Sequence, residues 1–201
     1  MVERNDSPIR PTTHARVRIL DTANRLFYDE GVHTVGINRI IAEARVTKTT
    51  FYKYYPSKEL LIVAYLRRRD DYIRELVAEI LRSSDDPLTR LEMLVDAIAG
   101  EAQKPDFRGC PFINATAQFS DPAHPVREAI ARHRQWYGDE VEALFRDAGH
   151  ASPGTARDDY FLARDGAYAS ANLGDPVAAQ AALRRAMGQL IAQARAGGTE
   201  R

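Results

Sequence analysis

The sequence predicts an all-α protein of two domains, an N-terminal three-helix domain over residues 1–57 and a C-terminal helical domain over residues 58–201. Three observations predict it. Apolar residues recur at helical spacing nearly throughout, proline and glycine interrupt that pattern at regular intervals, and no segment shows the signals of a strand. A length of 201 residues is ample for a packed core. With 44% hydrophobic residues and no apolar run near the roughly 20 residues that a membrane span needs, the chain is expected to be soluble.

In chain order, residues 1–13 carry acids, polar residues and two prolines and lack the apolar core of a secretory signal, so a cytoplasmic location is expected. A single cysteine, which cannot form an internal disulfide, agrees with a reducing compartment. Ile19, Leu20, Ala23, Leu26 and Phe27 mark an amphipathic helix that Gly31 stops. A short second helix is expected from Asn38 to Ala44, with Asn38 as its N-cap and Ile37, Ile40, Ile41 and Ala44 facing inward. Arg45 and Val46 make a turn. Thr47 caps a third helix that continues to Tyr54, before Pro56 forbids extension.

Ser57 then caps a long helix reaching about Arg82, with Leu60, Leu61, Ala64, Ile73, Leu76, Val77, Ile80 and Leu81 on its buried side. Pro87 suits the first turn of a helix to about Gln103 that presents Leu91, Leu94, Val95 and Ile98. A loop over Pro105–Gly109 leads to a short helix from Pro111 to about Phe119, and further helices follow over about 126–148, 156–172 and 176–196. The last two are so broadly apolar (Tyr160, Phe161, Leu162, Ala163, Ala167, Ala171, Ala178, Ala181, Ala182, Met187, Leu190, Ile191) that burial on two sides is expected, one of them against a partner. Ordinary internal core is the alternative.

Two short helices joined by a tight turn, with basic and hydroxyl side chains on the second, are what a major-groove reading head requires. Lys48, Thr49, Tyr52 and Lys53 fall on its outward face, Val46, Phe51 and Tyr55 on its inward face, and Thr50 on either. Lysines suit guanine acceptors or phosphates, threonines a thymine methyl or a phosphate, and the Tyr52 hydroxyl a phosphate. Between Ile37 and Lys58 there are five cations (Arg39, Arg45, Lys48, Lys53, Lys58) against one anion, Glu43, in a chain whose formal net charge is zero. A phosphate-binding face leaves that footprint, although a short basic helix is also common on solvated surfaces.

The stretch IIAEARVTKTTFYKYYPSKELL, together with the preceding amphipathic helix and Gly31, resembles the N-terminal domain of TetR-family transcriptional regulators over about Arg16 to Leu61. The resemblance implies an all-helical homodimer whose N-terminal domains bind a double-stranded DNA operator and whose C-terminal domains bind a small-molecule effector that releases it, most simply as a repressor. Carried over by position, it places Asn38 at the start of the bracing helix, Thr47, Lys48, Thr49, Thr50, Tyr52, Lys53 and Tyr54 on the DNA-facing helix, and Lys58 at a phosphate. It also implies that the last two helices form the dimer interface. Arg45 stands where the family usually has glycine, Ile41 where a small alanine is commoner, and Thr49 where glycine or alanine is frequent.

Candidate effector contacts concentrate between Phe107 and Tyr137: Phe107, Cys110, Phe112, Asn114, Phe119, His133, Trp136 and Tyr137, with Met93, Tyr160 and Tyr168 as further walls. Packed core is the alternative for each. His124, between prolines in a loop, reads as structural or incidental. Cys110, in a Gly-Cys…Asn stretch that resembles electrophile-responsive members of the family, sits before Pro111 at a helix start with Arg108 nearby, a setting that favours thiolate; a small buried hydrophobe is the competing reading. No Gly-rich phosphate loop, Ser/His/Asp order or zinc signature is present, so neither enzymatic chemistry nor a cofactor is expected. A helical interaction module that does not bind DNA is the remaining alternative.

Overall fold

A computed structural model describes residues 11–199. The first ten residues, part of the stretch that lacks a secretory pattern, lie outside the described residues, as do the last two. Nine helices are present among the described residues: α1 (Pro11–Glu30), α2 (Ile37–Glu43), α3 (Lys48–Tyr54), α4 (Lys58–Ser83), α5 (Pro87–Glu101), α6 (Pro111–Thr116), α7 (Pro125–Asp147), α8 (Pro153–Asn172) and α9 (Pro176–Thr199). Packing divides them into two compact units, up to Leu66 and from Arg67. The sequence pattern places that line at the start of α4; the division falls within the helix.

In the first unit α1, α2 and α3 pack on one another. Ile19, Ala23, Leu26, Phe27, Ile40, Ala44, Phe51, Tyr55 and Leu61 of the inward set that the helical spacing selects are buried, whereas Leu20, Ile37, Ile41 and Val46 of that set are half-buried. Gly31, at φ 89°, ends α1 by turning into the left-handed region while its N–H still bonds the Phe27 carbonyl.

Two expectations are corrected here. Asn38 does not cap α2: the helix begins one residue earlier, with Gly36 as an extended N-cap that makes no side-chain bond, and Asn38 is an exposed residue of its first turn. The Gly36 carbonyl receives the N–H groups of Arg39 and Ile40, so no side chain is needed to start the helix. Leu60 is 49% exposed rather than buried. Leu61, Ile62 and Tyr65 define the inward side of the first turns of α4, and a residue one place earlier points about 100° away from Leu61.

The second unit is built on α8 against α9, with α5 against α9 and α7, α7 against α8, and α6 on α7. Proline opens α5, α6, α7, α8 and α9, each at a position whose N–H has no helical partner. For that reason α8 starts at Pro153, three residues before the predicted start at Ala156. Conversely α6 ends at Thr116, and Ala117–Phe119 form a turn rather than continuing the helix. His124 is the N-cap of α7, its Nδ1 accepting the Val126 N–H at 3.2 Å, which makes its role structural. No helix among the described residues is long and apolar enough to cross a membrane.

Candidate nucleic-acid interface and ligand cavity

The turn between α2 and α3 explains how a reading head is presented. The Arg45 N–H bonds the Ala42 carbonyl and the Val46 N–H bonds the Ile41 carbonyl, the paired pattern of a Schellman helix end whose left-handed residue is Arg45 at φ 52°. The same pattern closes α7, where Gly149 occupies that position at φ 84°. Ile41 and Val46, the two residues whose side chains such an end brings together, are both half-buried. From α1, the Arg18 Nε donates to the Ala44 carbonyl at 3.2 Å, tying the turn to the helix beneath it.

Thr47 starts α3 as expected: its Oγ1 accepts the Thr50 N–H at 3.1 Å and meets the Thr50 hydroxyl at 2.8 Å, which fixes both threonines. Lys48, Thr49, Tyr52 and Lys53 are exposed, Thr50 and Tyr54 are half-buried, and Phe51 and Tyr55 lie inward. Lys53 Nζ sits 5.9 Å from the centre of the Tyr54 ring. A short helix is thus anchored by two aromatics while a basic, hydroxyl-bearing face stays open to solvent.

The electrostatics differ from the sequence count in one respect. Arg39 is held by Glu30 and Glu43, and Glu43 also binds Arg25. Glu30 lies outside the window in sequence but at the end of α1 in space, so Arg39 acts as a clamp on the back of the motif rather than as a free cation. Hydrogen bonds from Arg25 and then Arg39 hold the Glu43 carboxyl below the usual carboxylate range. Lys58 is half-buried, its ammonium donates to the His33 carbonyl at 3.2 Å, and burial pushes its pKa down. Outside that clamp, the exposed cations of the window are Arg45, Lys48 and Lys53.

Arg45→Gly should stabilise the first unit by about 0.5–1 kcal/mol, because glycine adopts a left-handed backbone without the Cβ penalty. The substitution should also weaken DNA binding by removing an exposed cation beside α3. Urea melts read the first effect and a binding titration the second; a fall in stability would mean that the Arg45 side chain contributes more than its backbone costs.

In the second unit a cavity of about 270 Å³ opens among α6, α7 and α8, lined by Cys110, Phe112, Ile113, Thr116, Ile130, His133, Arg134, Tyr137, Phe161, Arg164 and Asp165. Four of the predicted contacts, Cys110, Phe112, His133 and Tyr137, meet there. The others do not line this cavity. Phe107 and Tyr168 are buried against each other edge to face at 5.0 Å, Phe119 packs on His124, and Met93 is half-buried on α5. Trp136 lies beneath the Arg74 guanidinium at 3.9 Å and donates its indole N–H to Glu140. Asn114 is exposed and donates to the Arg108 carbonyl at 2.7 Å, bracing the loop before α6. Gly109 in that loop adopts φ 83°, which accounts for a glycine directly before Cys110.

Sequence spacing missed Arg164 and Asp165, because a charged pair in the middle of an otherwise amphipathic helix reads as solvated surface. Arg164 is instead only 5% exposed. Its Nη2 approaches the Cys110 sulfur at 3.7 Å, so the guanidinium that meets the thiol comes from a different helix. Tyr137 and Tyr160 share a buried hydroxyl–hydroxyl hydrogen bond, and burial pushes both phenols up, which favours their neutral forms.

His133 stacks on Phe112 with ring centres 3.6 Å apart and pairs through Nδ1 with Asp70 of α4 at 2.7 Å. Burial lowers its pKa from the ordinary 6.5, against the opposing pull of Asp70. The unfolded chain therefore takes up this proton first, so the contribution of His133 to stability is complete above about pH 6.5 and is lost as pH falls through the lower folded value. Melting temperatures measured from about pH 7.5 down to about pH 5 should fall, and His133→Gln should flatten that slope; an unchanged slope would assign the effect to other groups.

Comparison with known proteins agrees with this geometry in both units. The family description "Bacterial regulatory proteins, tetR family" matches residues 19–65, and "Tetracyclin repressor-like, C-terminal domain" matches residues 87–161. The crystal structure of SCO4454, a TetR-family transcriptional regulator from Streptomyces coelicolor, is 38% identical and superposes with a TM-score of 0.88 over 91% of this chain and 97% of that one. The HTH-type transcriptional regulator LmrA of Bacillus subtilis is 27% identical over 137 residues, 67% of this chain and 73% of LmrA. The HTH-type transcriptional activator FasR of Mycolicibacterium smegmatis is 33% identical over 87 residues, 43% of this chain and 40% of FasR. With a helix-turn-helix that leaves a basic face open and a regulator of the same architecture matched along nearly its whole length, the chain belongs to the TetR family of DNA-binding transcriptional regulators.

Proposed function

We propose that the protein acts as a homodimeric repressor that grips its operator through Thr47, Lys48, Thr49, Thr50, Tyr52, Lys53 and Tyr54, with Lys58 and Asn38 at the flanks, and that a small molecule in the α6–α7–α8 cavity releases it. The observation that carries this reading is the exposed face of α3, on which Lys48, Thr49, Tyr52 and Lys53 stay open to solvent while Phe51 behind them is fully buried. Dimerisation is supported by apolar side chains that face solvent on α8 and α9 and the turn between them: Leu162 at 74%, Leu173 at 87% and Val177 at 73% exposure, with Ala178, Ala181 and Ala182 beside them. A two-fold dimer also supplies a second reading head for an adjacent half-site.

Release needs a link from cavity to reading head, and α4 supplies it. Its residues up to Leu66 belong to the first unit and those from Arg67 to the second. His133 lines the cavity and is hydrogen-bonded to Asp70 on that helix, so an effector that displaces the His133–Phe112 stack pulls on α4.

A gel-shift titration on the DNA flanking the protein's own gene, against unrelated DNA of equal length, tests the reading. Selective retardation that a small molecule reverses is the expected result; retardation that no occupant of the cavity reverses would remove the effector half of the proposal. A second reading is favoured by the 3.7 Å approach of Arg164 to the Cys110 sulfur at the cavity wall, where an entering electrophile would meet the thiol. Cys110→Ser decides it: electrophile-induced release that survives the substitution excludes the thiol as trigger.

A further inference from the structure

The cavity wall carries more positive than negative charge. Asp165 is shared between two guanidiniums, its Oδ1 accepting from Arg164 Nη1 and its Oδ2 from Arg134 Nη1, each at 2.6 Å. Among the described residues these three are the only Arg, Lys, Asp or Glu side chains that line the cavity, and His133 is pushed toward its neutral form by burial. Two cations therefore face one carboxylate. Arg134 is 44% exposed and can be solvated, whereas the Arg164 side chain is 6% exposed and cannot.

A buried guanidinium is stable only when its donors find strong acceptors. One arm of Arg164 has half of a shared carboxylate, and the other has the Cys110 sulfur at 3.7 Å, a weak acceptor. The guanidinium also lies over the Tyr168 ring at 4.7 Å and the Tyr137 ring at 5.6 Å, and the rest of the cavity wall is mostly apolar, with Phe112, Ile113, Ile130 and Phe161 beside Thr116, His133 and Tyr137. A forked cation with one arm on a weak acceptor, in a half-open cavity whose wall is mostly apolar, suits a ligand with an anionic head and an apolar body.

We infer that the cavity takes a small carboxylate with a hydrophobic ring or short chain, its carboxylate replacing the Cys110 sulfur on Nη2 of Arg164 and its apolar body lying against Phe112, Ile130 and Phe161. The inference rests on the reading of this cavity as the effector site. The anion is drawn by charge and by the Nη2 donor, whose present partner is the weakly accepting Cys110 sulfur, and the apolar wall rejects small hydrophilic acids.

Isothermal titration of the full-length protein with benzoate, cinnamate and 2-naphthoate, and with their uncharged amides, tests this. At least one acid should bind, with its amide weaker by tenfold or more. Arg164→Gln should abolish acid binding, with circular dichroism confirming the fold. Asp165→Asn provides an independent arm with the opposite sign: it removes the competing carboxylate, frees Arg164 and should tighten acid binding several-fold. Amides that bind as well as acids, or an Asp165→Asn protein that binds acids no better than the parent, would overturn the anion assignment and leave the cavity as a site for a neutral effector. Binding of neither acids nor amides would overturn both the assignment and the effector reading on which it rests.

Discussion

Phe51→Ala is expected to cost about 3–5 kcal/mol and to abolish operator binding, the largest effect of any single substitution in the first unit. The ring is completely buried, edge-on to Tyr52 at 5.3 Å and tilted against Tyr55 at 6.4 Å. It is the anchor on which the open face of α3 stands, so removing it leaves a void behind that face. A domain of this size buries a modest fraction of its surface and has little stability in reserve, so such a loss consumes most of it. Thermal unfolding should show an early transition for the first unit while the second remains folded, and DNA retardation should vanish. An unchanged melt with normal retardation would contradict the assignment of Phe51 as the support of the reading head.

The double substitution Lys48→Ala and Lys53→Ala should lower DNA affinity about a hundredfold or more at moderate salt while leaving the fold intact. Both side chains are exposed, and substitutions of that kind usually change stability by less than about 0.5 kcal/mol. In a dimer four cations disappear. If each neutralises a phosphate, the slope of log affinity against log salt should shrink by about 3–4. If either lysine instead reads a base, discrimination at that base should fall by about 1–3 kcal/mol while the slope changes less. Binding isotherms at several salt concentrations, on specific and on scrambled duplexes, separate these outcomes, and an unaltered slope with unaltered preference would place the lysines away from DNA.

Much of this architecture is legible in the sequence because its signals are local. Thr47 is followed by three residues that complete a cap, Pro56 forbids continuation of α3, and a proline opens each helix from α5 to α9. The resembled family's usual glycine marks Arg45 as a turn position, and the structure settles the shape of that turn as left-handed. What escapes the sequence depends on residues distant along the chain. Glu30 neutralises Arg39 across nine positions, and Asp70 meets His133 across 63. The cavity is harder still to foresee. Helical periodicity reports which residues face inward but not which inward residues leave space between them, so Phe107, Phe119 and Tyr168 read like Phe112 and Tyr137 although only the latter two line the cavity. Arg164 and Asp165 are invisible for a different reason: their charge argues for solvent, and only packing of α8 against α7 places them at a buried wall.

Selection of duplexes from a random pool by the purified full-length protein tests the central claim most directly, since the protein itself picks out the target. The account predicts enrichment of one inverted repeat whose half-sites are read by two copies of α3, with enrichment lost in the Lys48→Ala and Lys53→Ala protein. Failure to enrich any sequence at low salt, or enrichment that the double substitution leaves untouched, would contradict it.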